Sequence, residues 1–152
     1  MKTVCRIAAP LMMVVIFYFS SRPGPESDVD SMVVGRIISE IVVPDFEEMD
    51  VQAQTRYVIN INHGVRKTAH FLEYAVLATL LAGALYGDDK KRQIIFLQAV
   101  VIAALYAASD EFHQLFVPGR AGKVGDVMID TAGALCGAGI FTALRAHRTV
   151  IE

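Results

Sequence analysis

The sequence contains four apolar segments, at about 4–21, 68–86, 94–109 and 124–144. Ionisable side chains lie at the start of the second one, at a place where a membrane normally excludes charge. They follow one another at i, i+3, i+6 and i+7 and are Lys67, His70, Glu73 and Tyr74. Those spacings place all four on one face of a helix. An imidazole titrates near neutral pH, so His70 is a candidate general base or nucleophile, and Glu73 is placed to orient it. The pattern indicates proton transfer beside a bound polar group.

Two further polar groups lie on the segments that follow. The third segment closes with Asp110, Glu111, His113 and Gln114. Asp126 and Asp130 open the fourth segment at i, i+4, again on one face, and Arg120 lies between the two segments. Antiparallel helices joined in this order bring all three groups to the same side of the membrane. Because an ionised side chain at the helix centre costs ~2.5–3.5 kcal/mol, we expect the groups to face one another in a polar pocket.

The residue types in this expected pocket suit a phosphate-bearing head group. Arg120 and Lys67 could clamp a phosphate, because a guanidinium offers a planar fork of donors and an ammonium offers a point charge. The candidate catalytic residues are His70, Glu73, Glu111 and Asp126. The candidate substrate-binding residues are Lys67, Tyr74, His113, Gln114, Arg120 and Asp130.

The carboxylates also raise the question of a metal ion. Asp110, Asp126 and Asp130 could hold Mg²⁺ or Ca²⁺ through oxygen ligands. The alternative is that these carboxylates are ion-pair partners of Arg120 and Lys67. The sequence leaves both interpretations open, so a divalent cation is a candidate cofactor and no more.

The composition is that of a membrane protein. Of the 152 residues, 54% are hydrophobic and 20% are charged, against ~45–50% and ~25% in soluble domains. This hydrophobicity excludes a disordered chain, and only two cysteines, both in apolar runs, exclude a disulfide scaffold. The net charge of −2 does not indicate the basic surface that binding of nucleic acid requires. We expect residues 1–152 to form a single membrane domain.

Four apolar segments are long enough to cross a hydrocarbon layer of ~30 Å, which needs ~20 residues of helix. They cover about 4–21, 68–86, 94–109 and 124–144. We expect residues 22–67 to be a long outer loop with one or two amphipathic helices, because apolar residues from Met32 to Val42 recur with a helical rhythm and Pro44 ends it. The predicted fold is therefore an all-α integral membrane protein with four transmembrane helices.

Three features bear on how these segments sit in the membrane. Lys2 and Arg6 before the first apolar run would also suit a cleaved signal peptide, but no A-x-A-like site follows, which favours a retained helix. Basic residues divide evenly between the two sides but are denser in the two tails and the short 87–93 loop, which favours both termini in the cytoplasm. Gly133 and Gly137 form a G-x-x-x-G pair that predicts close helix packing.

The chain resembles the VanZ-like family of bacterial membrane proteins in three stretches. They are FYFSSRPGPES (17–27), RKTAHFLEYAVL (66–77) and SDEFHQLFVPGRAGKVGDVMIDTAGALCG (109–137). The family has Asn or Asp at the position of Asp130. The family is named after a protein that lowers susceptibility to teicoplanin, and it has been proposed to share a helical core with enzymes acting on lipid head groups. The resemblance therefore implies a cell-envelope role in the bacterial cytoplasmic membrane.

Three functions fit these observations. The first is an enzyme that transfers or hydrolyses a group on a phosphate-containing lipid head group or a lipid-linked cell-wall precursor at the outer interface. The second is a non-catalytic binder that shields such a precursor, and either activity could alter glycopeptide susceptibility. The third is a structural accessory protein whose polar groups form an internal ion-pair network. The expected partner is a membrane lipid or lipid-linked precursor, and no nucleic acid is expected.

Overall fold

The computed structural model describes residues 2–87 and 91–151, and these form helices and connecting turns without a strand. The helices are α1 (Lys2–Ser20), α2 (Gly24–Val42), a 3₁₀ turn (Phe46–Glu48), α3 (Val51–Leu85), α4 (Arg92–Gln114) and α5 (Val124–Ile151). Four of them are long and apolar enough to cross a membrane, namely α1, α3, α4 and the part of α5 from Val124 to Arg145. The prediction of an all-α membrane protein with four transmembrane helices is confirmed.

The second membrane helix begins much earlier than expected, at Val51 instead of about Thr68. Asp50 caps it, since the Asp50 carboxylate accepts the backbone N–H groups of Gln52 at 2.9 Å and Ala53 at 3.0 Å. Residues 51–67 therefore belong to a continuous helix of 35 residues and not to a separate amphipathic helix in a loop. Hydropathy marks where a helix enters hydrocarbon, whereas a helix continues until a proline or a C-cap stops it; no proline stands between 51 and 67, and α3 continues through Gly64.

The length of α3 places part of it outside the membrane. At ~1.5 Å per residue its 35 residues span about 52 Å. A hydrocarbon layer of ~30 Å cannot contain that length, even at a tilt of ~40°. Part of α3 therefore extends beyond the layer, and α2 packs against α3.

The other helix ends also differ from the sequence-based bounds. Helix α1 covers 2–20, against the expected 4–21, and α5 runs to Ile151, against about 144. Helix α4 ends at Gln114, against about Ser109. The polar residues that close the third segment are thus part of the helix, because their burial against neighbouring helices compensates for their low hydropathy.

Small residues allow the membrane helices to approach closely. A Cβ atom on Gly133 or Gly137 of α5 would come within 3.0 Å of the carbonyl oxygen of Phe71 or Ala75 in α3, which is closer than real Cβ atoms come. The predicted close packing at this glycine pair is confirmed. The contact lies one turn beyond Asp130, and it therefore sets that carboxylate beside α3.

Candidate functional site

An imidazole lies between two carboxylates at the centre of the helix bundle. The His70 Nδ1 atom is 3.9 Å from Asp130 Oδ1 and 3.9 Å from Glu73 Oε2. Asp130 is fully buried, at 0% exposure, whereas His70 and Glu73 keep about a quarter of their side-chain surface, at 23% and 26%. Both separations exceed hydrogen-bond length, so the pairs interact through charge or through a bridging group.

Several buried polar atoms around this centre lack a hydrogen-bond partner within the described part of the chain. They are His70 Nδ1, Tyr74 Oη, Asp110 Oδ1 and both carboxylate oxygens of Asp130. Buried polar atoms are nearly always paired, and an unpaired one calls for an explanation such as solvent or a ligand. Their concentration on three neighbouring helices points to a site that receives a polar group.

A second polar network ties α1 to α4. The hydroxyl of Ser20 donates to Asp110 Oδ2 at 2.5 Å, and Gln114 Nε2 donates to Ser20 Oγ at 3.0 Å and to Asp110 Oδ2 at 3.3 Å. All three residues are buried. Asp110 is thus held from two sides, and the network fixes where α1 meets the end of α4.

Two cavities meet at this centre. The first has a volume of about 170 Å³, and its walls include Lys67, His70, Gln114, Arg120, Asp126 and Asp130. The second has a volume of about 220 Å³, and its walls include Ser20, Arg66, His70, Glu73 and Arg120. His70, Arg66 and Arg120 line both cavities, so they form the boundary at which a bound group would meet the imidazole.

The loop after α4 carries Arg120 to the end of α1. Gly119 adopts a φ of +73°, in the left-handed region that favours glycine, and the backbone N–H of Gly24 donates to the carbonyl of Pro118 at 3.0 Å. Arg120 donates through Nε to the carbonyl oxygen of Arg22 at 3.2 Å and through Nη2 to that of Phe19 at 3.1 Å. Part of the guanidinium is therefore occupied in holding the turn between α1 and α2.

The pKa of the Arg120 side chain is affected by its surroundings. Burial, and after it the positive charge of Arg66, lowers the pKa of the Arg120 guanidinium from its ordinary value. Arg66 in turn donates through Nη1 to Asp28 Oδ1 at 2.5 Å. The side chains of Lys67 and Lys123 form no hydrogen bond or ion pair with the described residues, so their ammonium groups remain available to the first cavity.

Four of the residues singled out from the sequence line neither cavity. Tyr74 is fully buried in the core, Glu111 accepts the backbone N–H of Lys123 at 2.7 Å, and the His113 ring lies 4.7 Å from that of Phe17. Asp110 is the fourth and lies in the network with Ser20. Glu111 thereby satisfies an N–H at the start of α5, a group that a helix leaves unpaired. The structure therefore gives these residues structural contacts, while Lys67, His70, Glu73, Gln114, Arg120, Asp126 and Asp130 come together at the cavities.

The carboxylates do not assemble into a metal site. No group of three or more His, Cys, Asp or Glu side chains in the described ranges has an arrangement that would hold a metal ion. Asp126 and Asp130 line the same cavity, but Asp110 is engaged by Ser20 and Gln114. The three proposed ligands therefore do not fit a Mg²⁺ or Ca²⁺ ion as a set, and no step of the chemistry is derived through one.

Arg66 and Ser20 are among the cavity residues that the sequence-based reasoning did not select. Arg66 precedes His70 by four residues, so the helical spacing that selected the other residues of α3 could also have selected it. Ser20 carried no comparable signal, because a serine at the end of an apolar segment is ordinary. Its importance comes from Asp110, 90 residues away along the chain.

Comparison with known proteins gives one match. The family model described as VanZ/LLP1 matches residues 7–145, which include all the residues of the cavities. No curated protein and no solved structure matches the chain.

Proposed function

The chain belongs to the VanZ/LLP1 family, and we propose that it cleaves or transfers a phosphate-containing head group of a membrane lipid or a lipid-linked cell-wall precursor. The single observation that carries the proposal is the placement of His70 beside Asp130, at the boundary of two cavities lined by cations. We place the site at the outer face of the bacterial cytoplasmic membrane, with both termini in the cytoplasm.

The cations around the cavities favour an anionic ligand. Lys67 lines the first cavity, and Arg66 and Arg120 line both. A guanidinium has five N–H donors, and Arg120 uses two of its nitrogens on backbone carbonyls, so it keeps donors for a phosphate oxygen. Lys67 supplies a charge with no protein partner in the described residues. A phosphate at this point would lie against the imidazole.

The reaction follows from these positions. His70 accepts a proton from a water molecule or an acceptor hydroxyl, whose oxygen attacks the phosphorus atom of the ester. The bond between phosphorus and the lipid oxygen breaks, and that oxygen takes up the proton from the imidazolium. Asp130 stabilises the imidazolium between these two transfers, and Lys67 and Arg120 stabilise the charge that develops on the phosphoryl oxygens. If the substrate is a lipid-linked cell-wall precursor, this reaction would also change the precursor that is available for a glycopeptide antibiotic to bind.

A structural accessory role is the second candidate, and specific contacts favour it. Arg120 holds the carbonyls of Phe19 and Arg22, and Asp110 is held by Ser20 and Gln114. On this alternative the polar residues stabilise the bundle and no lipid is changed. The alternative predicts that substitutions at the site lower stability and leave no catalytic signature.

The two functions are separated by measuring turnover and melting temperature in three variants, His70→Gln, Lys67→Gln and Arg120→Lys. Each variant is compared with the unmodified chain. The purified full chain is placed in vesicles that contain phosphatidylglycerol or a polyprenyl pyrophosphate, and released products are followed by mass spectrometry. We expect His70→Gln to lower turnover by about 10²-fold or more, the usual contribution of a general base, with an unchanged melting temperature. Turnover retained in His70→Gln would refute the catalytic proposal, and a large loss of melting temperature in His70→Gln would favour the structural one.

A further inference from the structure

A third cavity lies between α2 and the N-terminal half of α3, outside the polar centre. Its volume is about 580 Å³, and the apolar residues that line it include Val34, Ile38, Val42, Ile61, Val65 and Leu72. We call it the α2–α3 groove. On α3 it reaches from Tyr57 to Leu72, which is about 22 Å at ~1.5 Å per residue. The groove is therefore long enough to take an extended hydrocarbon chain.

The groove opens into the polar centre. Val34, Val65 and Ala69 line both the groove and the second cavity. The second cavity is also lined by Arg66 and His70, which directly follow Val65 and Ala69 in the sequence. A single molecule can therefore occupy an apolar channel and a cationic pocket at the same time.

The groove is also accessible from the side of α2. Val34 and Ile38, which line it, keep 47% and 41% of their surface exposed. On the same helix, Ile37 and Ile41 are 52% and 79% exposed. Water is a poor environment for such a surface, whereas lipid tails are a good one. The exposed side of α2 therefore gives a hydrocarbon chain a path from the bilayer into the groove.

We propose that the α2–α3 groove holds the acyl or prenyl tail of the lipid whose phosphate lies among Arg66, Lys67 and Arg120. The inference rests on the proposed function for the head group and adds the place of the tail. The charge pattern supports this occupant, because no Lys or Arg is among the described residues that line the groove, whereas Arg66 and Arg120 line the second cavity into which it opens. A soluble phosphate compound would leave the apolar end uncovered.

Gly64 offers a sharp test, because it lines the groove in the middle of α3. A Cβ atom at Gly64 meets no other atom within 4 Å, so a larger side chain there projects into the open groove without displacing the backbone. Gly64→Leu should fill the groove, and Gly64→Ala should leave it nearly open while favouring the helix. Gly125 is the matched control, since its Cβ also meets nothing within 4 Å and it lines neither the groove nor the two polar cavities.

The probe is phosphatidic acid with a photoactivatable diazirine midway along one acyl chain, in vesicles that contain the full chain. Labelled positions are mapped by mass spectrometry after illumination. We expect labels on Ile38, Ile61 and Leu72, and about a tenfold loss of them in Gly64→Leu, as expected when two methylene groups lose their burial. Gly64→Ala and Gly125→Leu should label like the unmodified chain.

Two results distinguish the tail site from the head site. Labels confined to outward-facing residues of α4 such as Leu97 and Leu105, unchanged in Gly64→Leu, would overturn the groove as the tail site and leave the head-group proposal standing. Groove labelling that is equally strong with the matching diacylglycerol, which lacks the phosphate, would support the groove and overturn phosphate recognition. Weaker labelling by the diacylglycerol, with phosphatidic acid labelling reduced in Lys67→Gln, would support both.

Discussion

The contact between α3 and α5 can be tested by adding one methyl group at a time. In Gly137→Ala the new Cβ would overlap the carbonyl oxygen of Ala75, whereas in Gly139→Ala, on the same helix, its nearest neighbour is Phe96 at 3.9 Å. Both changes gain up to ~1 kcal/mol of helix propensity. Only Gly137→Ala adds an overpacking cost of ~1–3 kcal/mol, because the two helices must separate. The difference between the two variants isolates the close contact.

The assay is thermal unfolding of the purified full chain in detergent. For a chain of this length ~1 kcal/mol corresponds to about 2–4 °C, so an overpacking cost near ~2 kcal/mol places the melting temperature of Gly137→Ala about 4–8 °C below that of Gly139→Ala. Turnover should fall as well, because Asp130 moves away from His70 with the helix. Equal melting temperatures for the two variants would refute the close packing of α3 and α5 and, with it, the argument for how Asp130 reaches the imidazole.

Three further predictions test the contacts that position the site. Asp50→Ala should cost about 1 kcal/mol, because it removes the cap of α3, while Asp50→Ser should restore most of it by thermal unfolding. Ser20→Ala should cost about 1–3 kcal/mol, since it leaves a buried oxygen of Asp110 with one donor fewer; no loss of melting temperature would contradict the network. Lys67→Gln should weaken binding of phosphatidic acid vesicles about tenfold without changing the melting temperature, because Lys67 has no ion-pair partner in the described residues; a destabilised variant would instead indicate a structural charge.

The site combines positions that stabilise the bundle with positions that remain available to a ligand. Ser20, Asp110 and Glu111 satisfy one another or the backbone of a neighbouring helix. Nδ1 of His70 and both carboxylate oxygens of Asp130 are buried without a hydrogen bond from the described residues. Such groups cost stability when they stay unpaired. We assign the chemistry to His70 and Asp130 because their unpaired atoms belong to residues that line the cavities, whereas Tyr74 and Asp110 line neither.

The sequence by itself determined the class of fold and predicted that the polar groups of three helices lie near one another. Apolar runs of this length can only be satisfied as helices in hydrocarbon, and the spacing of Lys67, His70 and Glu73 fixes their common face. The Gly133 and Gly137 pair likewise predicted a close helix contact. These features are local along the chain, and hydropathy and helical periodicity report local properties directly.

Only the tertiary structure decided which polar residues were already engaged. Glu111 has its partner 12 residues away and Ser20 has its partner 90 residues away, and Arg120 is bound by carbonyls at the end of α1. Nothing in the spacing of Arg120 distinguishes a phosphate clamp from a residue that holds a turn. The physical reason is that a long polar side chain bonds with whichever donor or acceptor the packing brings within about 3 Å, and that neighbour is set by the arrangement of whole helices.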